Sequence, residues 1–219
     1  SLKTNPNKIL EAKADEWIDK VVAAQLPDGY LNTYYTLNGL DKRWTDMSMH
    51  EDYNAGHMIE AAVVHYQATG KRNFLDIALK NADLLVATFG DNKNQIQGVP
   101  GHQIVETSLV KLYQITNNKA YLNLAKYFLD NRGNPKNHNL YGDYSQDHIP
   151  VIKQDEAVGH AVRAVYMYAG MTDIAAIEND SAYYNAVTKL WNNVVTKKIY
   201  ITGGIGSKPE GEAFGKNYE

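Results

Sequence analysis

Apolar positions recur at three-to-four-residue spacing along almost the whole chain, the period of a helix with one buried face. Ile9, Leu10, Trp17, Ile18, Val21 and Val22 mark a first helix from about Lys8 to Gln25, stopped by Pro27-Asp28-Gly29. A polar, Tyr-rich stretch, 30–48, reads as a long loop. Further helices are expected over about His50–Thr69 (with Gly70 as its stop), Asn73–Thr88, His102–Thr116 and Ala120–Leu129. A second long loop covers 134–153. The pattern then predicts a helix over Asp155–Ala169, interrupted at Gly170 and resuming to Ile177, and another over Ala182–Val195. Lys197–Thr202, rich in β-branched and aromatic residues, reads as a short strand that leads into the Gly203-Gly204-Ile205-Gly206 turn. The fold class is therefore all-α, with one short strand near the C-terminus.

The helices repeat. At an offset of 47, Val63, Tyr66, Gln67, Thr69, Leu75, Ala78 and Asp83 meet identical residues in Val110, Tyr113, Gln114, Thr116, Leu122, Ala125 and Asp130. The last two helices form a looser third copy, with Tyr183-Tyr184 near the place of Tyr121. Repeated helical hairpins build either an open solenoid or a closed α/α barrel, and only the barrel gathers its inner helices around one cavity.

Composition narrows the chemistry. With 22 basic and 25 acidic residues the net charge is −3, without the basic excess that nucleic-acid binding needs. No apolar run approaches the roughly 18 residues of a membrane span. Cysteine is absent, which removes thiol nucleophiles, Cys-bound zinc and disulfides from these 219 residues and leaves the compartment open. The 16 tyrosines, against 4 Phe and 3 Trp, fit amphipathic packing or a polar, aromatic-lined cleft suited to sugars.

Three histidines, His50, His102 and His160, stand near the starts of the first helices of successive hairpins, 52 and 58 residues apart. In a closed barrel they share one rim. Local hydrogen bonding at helix starts accounts for any one of them, but less well for three in register. Their spacing gives no strong metal-binding pair. Glu212, in Gly211-Glu212-Ala213-Phe214-Gly215, follows His160 by a further 52 residues. Desolvated beside Phe214, its carboxyl would suit a general acid; the plain alternative is an exposed loop glutamate. His57 shares a face with His50 and suits a supporting place, while Glu51, Asp52 and Glu60 read as solvated or capping groups. The GGIGS run lacks phosphate-loop spacing.

Several stretches resemble a known family: DGYLNTYYTL (28–37), YNAGHMIEAAVVHYQATGKRNFLDIA (53–78), PGHQIVETSLVKLY (100–113), QDEAVGHAVRAVYMYAGMTDIA (154–175) and ITGGIGSKPEGEAFGKNYE (201–219). In order and over nearly the whole chain, they closely resemble glycoside hydrolase family 127, the β-L-arabinofuranosidases and their relatives. The resemblance implies an α/α barrel of six hairpins followed by β-sandwich domains, and exo-acting, retaining hydrolysis of terminal L-arabinofuranose from a glycan. It makes Glu212 the general acid/base and assigns His50, His102 and His160 to the sugar hydroxyls. It also implies a cysteine thiolate nucleophile on zinc, held by a Glu and several Cys that lie C-terminal to the GEAF motif. None of those cysteines is in this sequence. Residues 1–219 are thus expected to form an incomplete α/α barrel within one catalytic domain. This piece lacks the nucleophile and metal, is inactive by itself, and needs zinc only in the full-length enzyme. Two rival readings remain: a helical-repeat scaffold that binds without turnover, which has no need of three rim histidines and a glutamate, and an α/α-barrel sugar lyase or epimerase. A uronate-directed lyase wants arginine at the pocket, and the chain offers only Arg43, Arg72, Arg132 and Arg163.

Overall fold

A computed structural model describes residues 2–219. Eight α-helices account for its regular structure: α1 (Lys8–Ala24), α2 (Thr33–Asn38), α3 (Glu51–Thr69), α4 (Asn73–Thr88), α5 (Val105–Thr116), α6 (Lys119–Asn131), α7 (Ala161–Glu178) and α8 (Ser181–Asn193). No helix among the described residues is long and apolar enough to cross a membrane.

Three hairpins, α3/α4, α5/α6 and α7/α8, form the body. Each turns on a residue in the left-handed region at the end of its first helix: Gly70 (φ 72°), Asn117 (φ 58°) and Asn179 (φ 53°). Gly and Asn are the residues that accept this conformation at least cost, and it ends the helix sharply. The second helices of the later two hairpins start on carboxamide or carboxylate caps: Asn118 accepts from the Ala120 N–H, and Asp180 from the Ala182 and Tyr183 N–H groups. The register seen in the sequence is thus a register of turns and caps.

The first helices of the hairpins lie side by side, with α5 between α3 and α7, and their partners form a second layer outside them; α1 packs on α4. This is an arc of an α/α barrel. Close approach to α5 is made by glycine on both flanks. A Cβ at Gly56 of α3 would fall 2.8 Å from Ile104 Cγ2 and 2.9 Å from the Val105 nitrogen, and one at Gly170 of α7 would fall 3.3 Å from Glu106 Cβ. The core runs between the layers through Ile59, Leu109, Leu112, Phe128, Leu129, Met167 and Ile174, all fully buried.

Four expectations are corrected. The helix over 161–178 is continuous through Gly170, because the missing side chain serves helix packing and breaks nothing. It begins at Ala161 and α5 begins at Val105, so the segments before them are turns. The loop 30–48 contains the short α2 and two single 3₁₀ turns, Leu40–Lys42 and Met47–Met49. Lys197–Thr202 forms no strand. A π-helical turn, Val194–Lys198, prolongs α8, and a tight turn follows, with the Tyr200 N–H on the Gly204 carbonyl at 2.9 Å and the Gly203 N–H on the Tyr200 carbonyl at 2.8 Å. Strand propensity needs a neighbouring ladder to satisfy the backbone, and none lies beside this segment.

Candidate functional site

The N-terminal ends of α3, α5 and α7 meet at one rim and bring the three histidines together. His50 is the N-cap of α3 (φ 60°), His160 is the N-cap of α7, and His102 sits three residues before the first residue of α5. The His50 and His102 rings are 5.7 Å apart and those of His102 and His160 5.5 Å, centre to centre. His102 is the middle member of a row.

Glu212 closes the row. It lies on a turn with Gly211 (φ 71°) and is itself left-handed (φ 50°). The flanking chain holds this shape: Ala213 and Lys208 exchange backbone hydrogen bonds at 3.1 and 3.0 Å, and the Phe214 N–H donates to the Gly159 carbonyl at 2.8 Å. Phe214 is buried in the core and anchors the segment, so it does not cover the carboxyl; the Glu212 side chain is 76% exposed. Its Oε2 stands 3.0 Å from His160 Nε2. Beside it a cleft of about 330 Å³ opens between the first turn of α7 and residues 205–212. A larger hollow, about 540 Å³, lies between α4 and α6 on the outer layer and includes none of the four residues.

The hydrogen-bond network assigns the ring protons of two histidines. His160 Nδ1 accepts the Arg163 N–H at 3.3 Å as the helix cap, so Nε2 carries the proton and donates to Glu212. His102 Nδ1 stands 2.7 Å from the Gln103 carbonyl, which can only accept; Nδ1 therefore donates and Nε2 keeps a free lone pair. Burial pushes His102 down to about 4, and the Arg163 guanidinium and the neighbouring imidazoles push the same way against that carbonyl bond. Burial, then Arg163, also lowers His160, against the pull of Glu212. The row is a set of neutral hydrogen-bonding groups at its middle and at its Glu212 end.

Arg163 is buried beneath this rim. Its Nη1 donates to the Gly101 carbonyl, and its guanidinium lies 5.0 Å over the Tyr144 ring. Its Nη1 is thus engaged within the protein.

The rim also holds aromatic residues that the sequence reading passed over. Tyr53 packs 4.3 Å from the His102 ring and 4.5 Å from that of His57, with Tyr166 5.9 Å beyond His57; Tyr144 stands 5.7 Å from His160. Tyr53 lies three residues after His50, a helical spacing that was available as a signal. His57 lies one ring away from His102, packed between Tyr53 and Tyr166. Glu51 and Asp52 are buried rather than solvated. Glu51 accepts from the Tyr30 hydroxyl and, at 2.7 Å, from the Trp44 N–H; Asp52 accepts from the Trp44 indole at 3.1 Å. Burial pushes Asp52 up to about 7, and the nearby Glu51 and Glu106 add to this while the indole opposes it.

A family model described as the β-L-arabinofuranosidase, GH127 catalytic domain, matches residues 1–219. The chain belongs to the GH127 family. A non-reducing end β-L-arabinofuranosidase from Bifidobacterium longum subsp. longum is 36% identical over 100% of this chain and 37% of its own length. A GH127 β-L-arabinofuranosidase crystal structure from Geobacillus stearothermophilus T6 superposes with a TM-score of 0.94 at 45% identity, covering 100% of this chain and 37% of that one. The GH127 β-arabinofuranosidase BT3674 superposes with a TM-score of 0.93 at 55% identity, covering 100% and 35%. This GH127 chain therefore spans little more than a third of the length of those relatives.

A zinc centre needs three or four donors converging on one point at about 2.0–2.3 Å. Among the described residues no group of three or more His, Asp or Glu side chains is arranged in this way. The rim histidines face one another across aromatic contacts, and His160 has both nitrogens engaged. These residues do not fit a zinc site.

Proposed function

We propose that residues 1–219 are part of one α/α-barrel catalytic domain of a retaining, exo-acting glycoside hydrolase that releases terminal L-arabinofuranose from a glycan. Membership of GH127 supports the reaction class, and the β-L-arabinofuranosidase activity of its relatives supports the sugar. The observation that carries the assignment to particular residues is the Glu212 carboxyl, held on a left-handed turn 3.0 Å from His160 at the end of the histidine row.

Glu212 protonates the glycosidic oxygen as the bond to the anomeric carbon breaks, and in the second step takes a proton from the attacking water. His102 accepts a sugar hydroxyl at its free Nε2, and His50, exposed at the other end of the row, contacts a second hydroxyl. Each such bond contributes about 1 kcal/mol net. His160 shares the sugar-facing rim. The chain holds no thiol, so it supplies protonation and sugar contacts while the thiolate nucleophile and its zinc, which the family resemblance implies, come from elsewhere in a longer enzyme. By itself the chain would not hydrolyse the substrate.

Glu212→Gln in the full-length enzyme tests this. On an arabinofuranoside with an alkyl leaving group the rate should fall by about 10²- to 10⁴-fold, the usual size of an acid/base contribution. The loss in the first step should be smaller with a 4-nitrophenyl leaving group, which departs without a proton. An unchanged rate on the alkyl substrate would overturn the assignment.

A further inference from the structure

We infer that Lys198 is a positioning residue for Glu212: from the π-helical turn at the end of α8, its ammonium grips the backbone just beyond the Glu212 turn and so fixes where the acid stands. This deepens the function proposed above and rests on it.

Lys198 is a buried lysine that does not touch the site. Its side chain is 3% exposed, and Nζ donates to the Gly215 carbonyl at 2.8 Å and to Glu156 Oε1 at 2.9 Å. Burying an ammonium is costly unless it is paired and hydrogen-bonded, and an apolar side chain would fill the same space without that cost. What the ammonium adds is a grip on two segments at once. Gly215 stands three residues after Glu212, and Glu156 four residues before His160. These are the two segments that carry the Glu212–His160 pair. They also meet directly, where the Phe214 N–H donates to the Gly159 carbonyl at 2.8 Å. The end of α8 holds them at two further points. The Tyr218 N–H donates to the Lys197 carbonyl at 2.7 Å. Asn193 accepts the Ala157 N–H at 3.0 Å and donates to Asn217 at 3.2 Å. The Glu212 side chain is mostly exposed, so neighbouring side chains confine it little, and the place of its carboxyl depends on the backbone that presents it. Lys198 is the charged anchor of that backbone nearest to Glu212 in sequence. Misplacing a reacting group by about 1 Å costs on the order of 10²-fold in rate, which is the scale such an anchor can protect.

Lys198→Met in the full-length enzyme tests this, because methionine keeps much of the apolar stem and removes the ammonium. Two substrates are compared on one preparation: an alkyl arabinofuranoside, whose leaving group needs a proton, and the 4-nitrophenyl arabinofuranoside, whose leaving group does not. If Lys198 works through the acid, kcat/KM on the alkyl substrate should fall by about 10- to 100-fold, while kcat/KM on the 4-nitrophenyl substrate, which reports the first step, changes little. The ratio of the two is independent of how much of the variant is folded, so a merely structural role would lower both values together and leave the ratio at its wild-type value. The double variant gives the second reading. In the Glu212→Gln background, Lys198→Met should cost almost nothing further on the alkyl substrate. An unchanged ratio, or additive losses in the double variant, would overturn the inference while leaving Glu212 as the acid/base. A Glu212→Gln enzyme that keeps its rate on the alkyl substrate would overturn the function itself, and that is read from the single variant alone.

Discussion

Asp52 shows how the rim stores charge in its protonation states. The unfolded carboxyl titrates near 3.8 and the folded one at about 7, so the folded chain binds the extra proton between those values. The stability this contributes is complete below the unfolded value and is lost as pH rises through about 7. His102 has the opposite sign: its folded value, about 4, lies below the ordinary 6.5, so its contribution is present above 6.5 and is lost as pH falls towards 4. The two compensate in mildly acidic solution, and above pH 7 the ionised Asp52 stands alone as a cost. Asp52→Asn keeps an acceptor for the Trp44 indole and removes the charge. The variant should have a higher urea midpoint than wild type at pH 8.5 and a smaller advantage at pH 5, where less of the cost has accrued. An equal shift at both pH values would show that charge is not the cause.

Between hairpins, one contact is used twice. The Tyr121 hydroxyl of α6 donates to Asp83 of α4 at 2.7 Å, and the Tyr183 hydroxyl of α8 donates to Asp130 of α6 at 2.7 Å. Asp83 and Asp130 are identical partners at the 47-residue offset, so the repeat seen in the sequence is partly a row of staples between outer helices. Tyr183→Phe leaves the buried ring in place and removes the bond to an ionised group, which should cost about 1.5–3 kcal/mol in urea unfolding. Asp130→Asn, which keeps an acceptor, should cost less; equal losses would mean that the staple's charge is irrelevant. The same comparison explains what was legible in the sequence. Hairpins, turns and the offset were readable because apolar period, left-handed stops and Asn/Asp caps are local signals. The ends of α5 and α7 were not, because Gln103, Gln146 and Gln154 build polar turns that are buried, and buried polar turns look like any other polar stretch. The false strand at 197–202 shows the converse: local β preference was present, but the partner was not. Register picked out the four candidate residues, whereas the burial of Glu51 and Asp52 was missed because it depends on Tyr30 and Trp44, which the preceding loop folds back over them.

The rim is assembled from segments around residues 50, 102, 145–160 and 212, and no single helix fixes their relation. A buried arginine does much of this. Arg132, fully enclosed, donates from Nη1 to the Ser145 carbonyl at 3.0 Å and from Nη2 to the Pro100 carbonyl at 2.7 Å, with the equally enclosed Glu106 of α5 at 3.7 Å. Ser145 follows Tyr144, which packs on His160; Pro100 precedes the turn that carries His102. One side chain at the end of α6 therefore ties both turns to the first turn of α5. Burial depresses Arg132, and Glu106 and Asp147 act to keep it charged. Arg132→Met should cost about 3–5 kcal/mol, because Glu106 is then a buried charge without its counter-ion. Glu106→Gln added to it keeps an acceptor for the Ile104 N–H, now at 3.0 Å, and removes the stranded charge. The double variant should regain about 1–3 kcal/mol of the loss, a coupling measurable by urea unfolding of the four members of the cycle. Stability and site should then separate. The double variant regains stability, yet the Pro100 carbonyl stays unpaired and the Ser145 carbonyl keeps only the Gln103 side-chain amide, so the two turns are held less firmly and KM of the full-length enzyme for the arabinofuranoside should remain raised after stability has recovered. Recovery of both together would mean that the arginine holds the fold alone and that the rim is positioned without it.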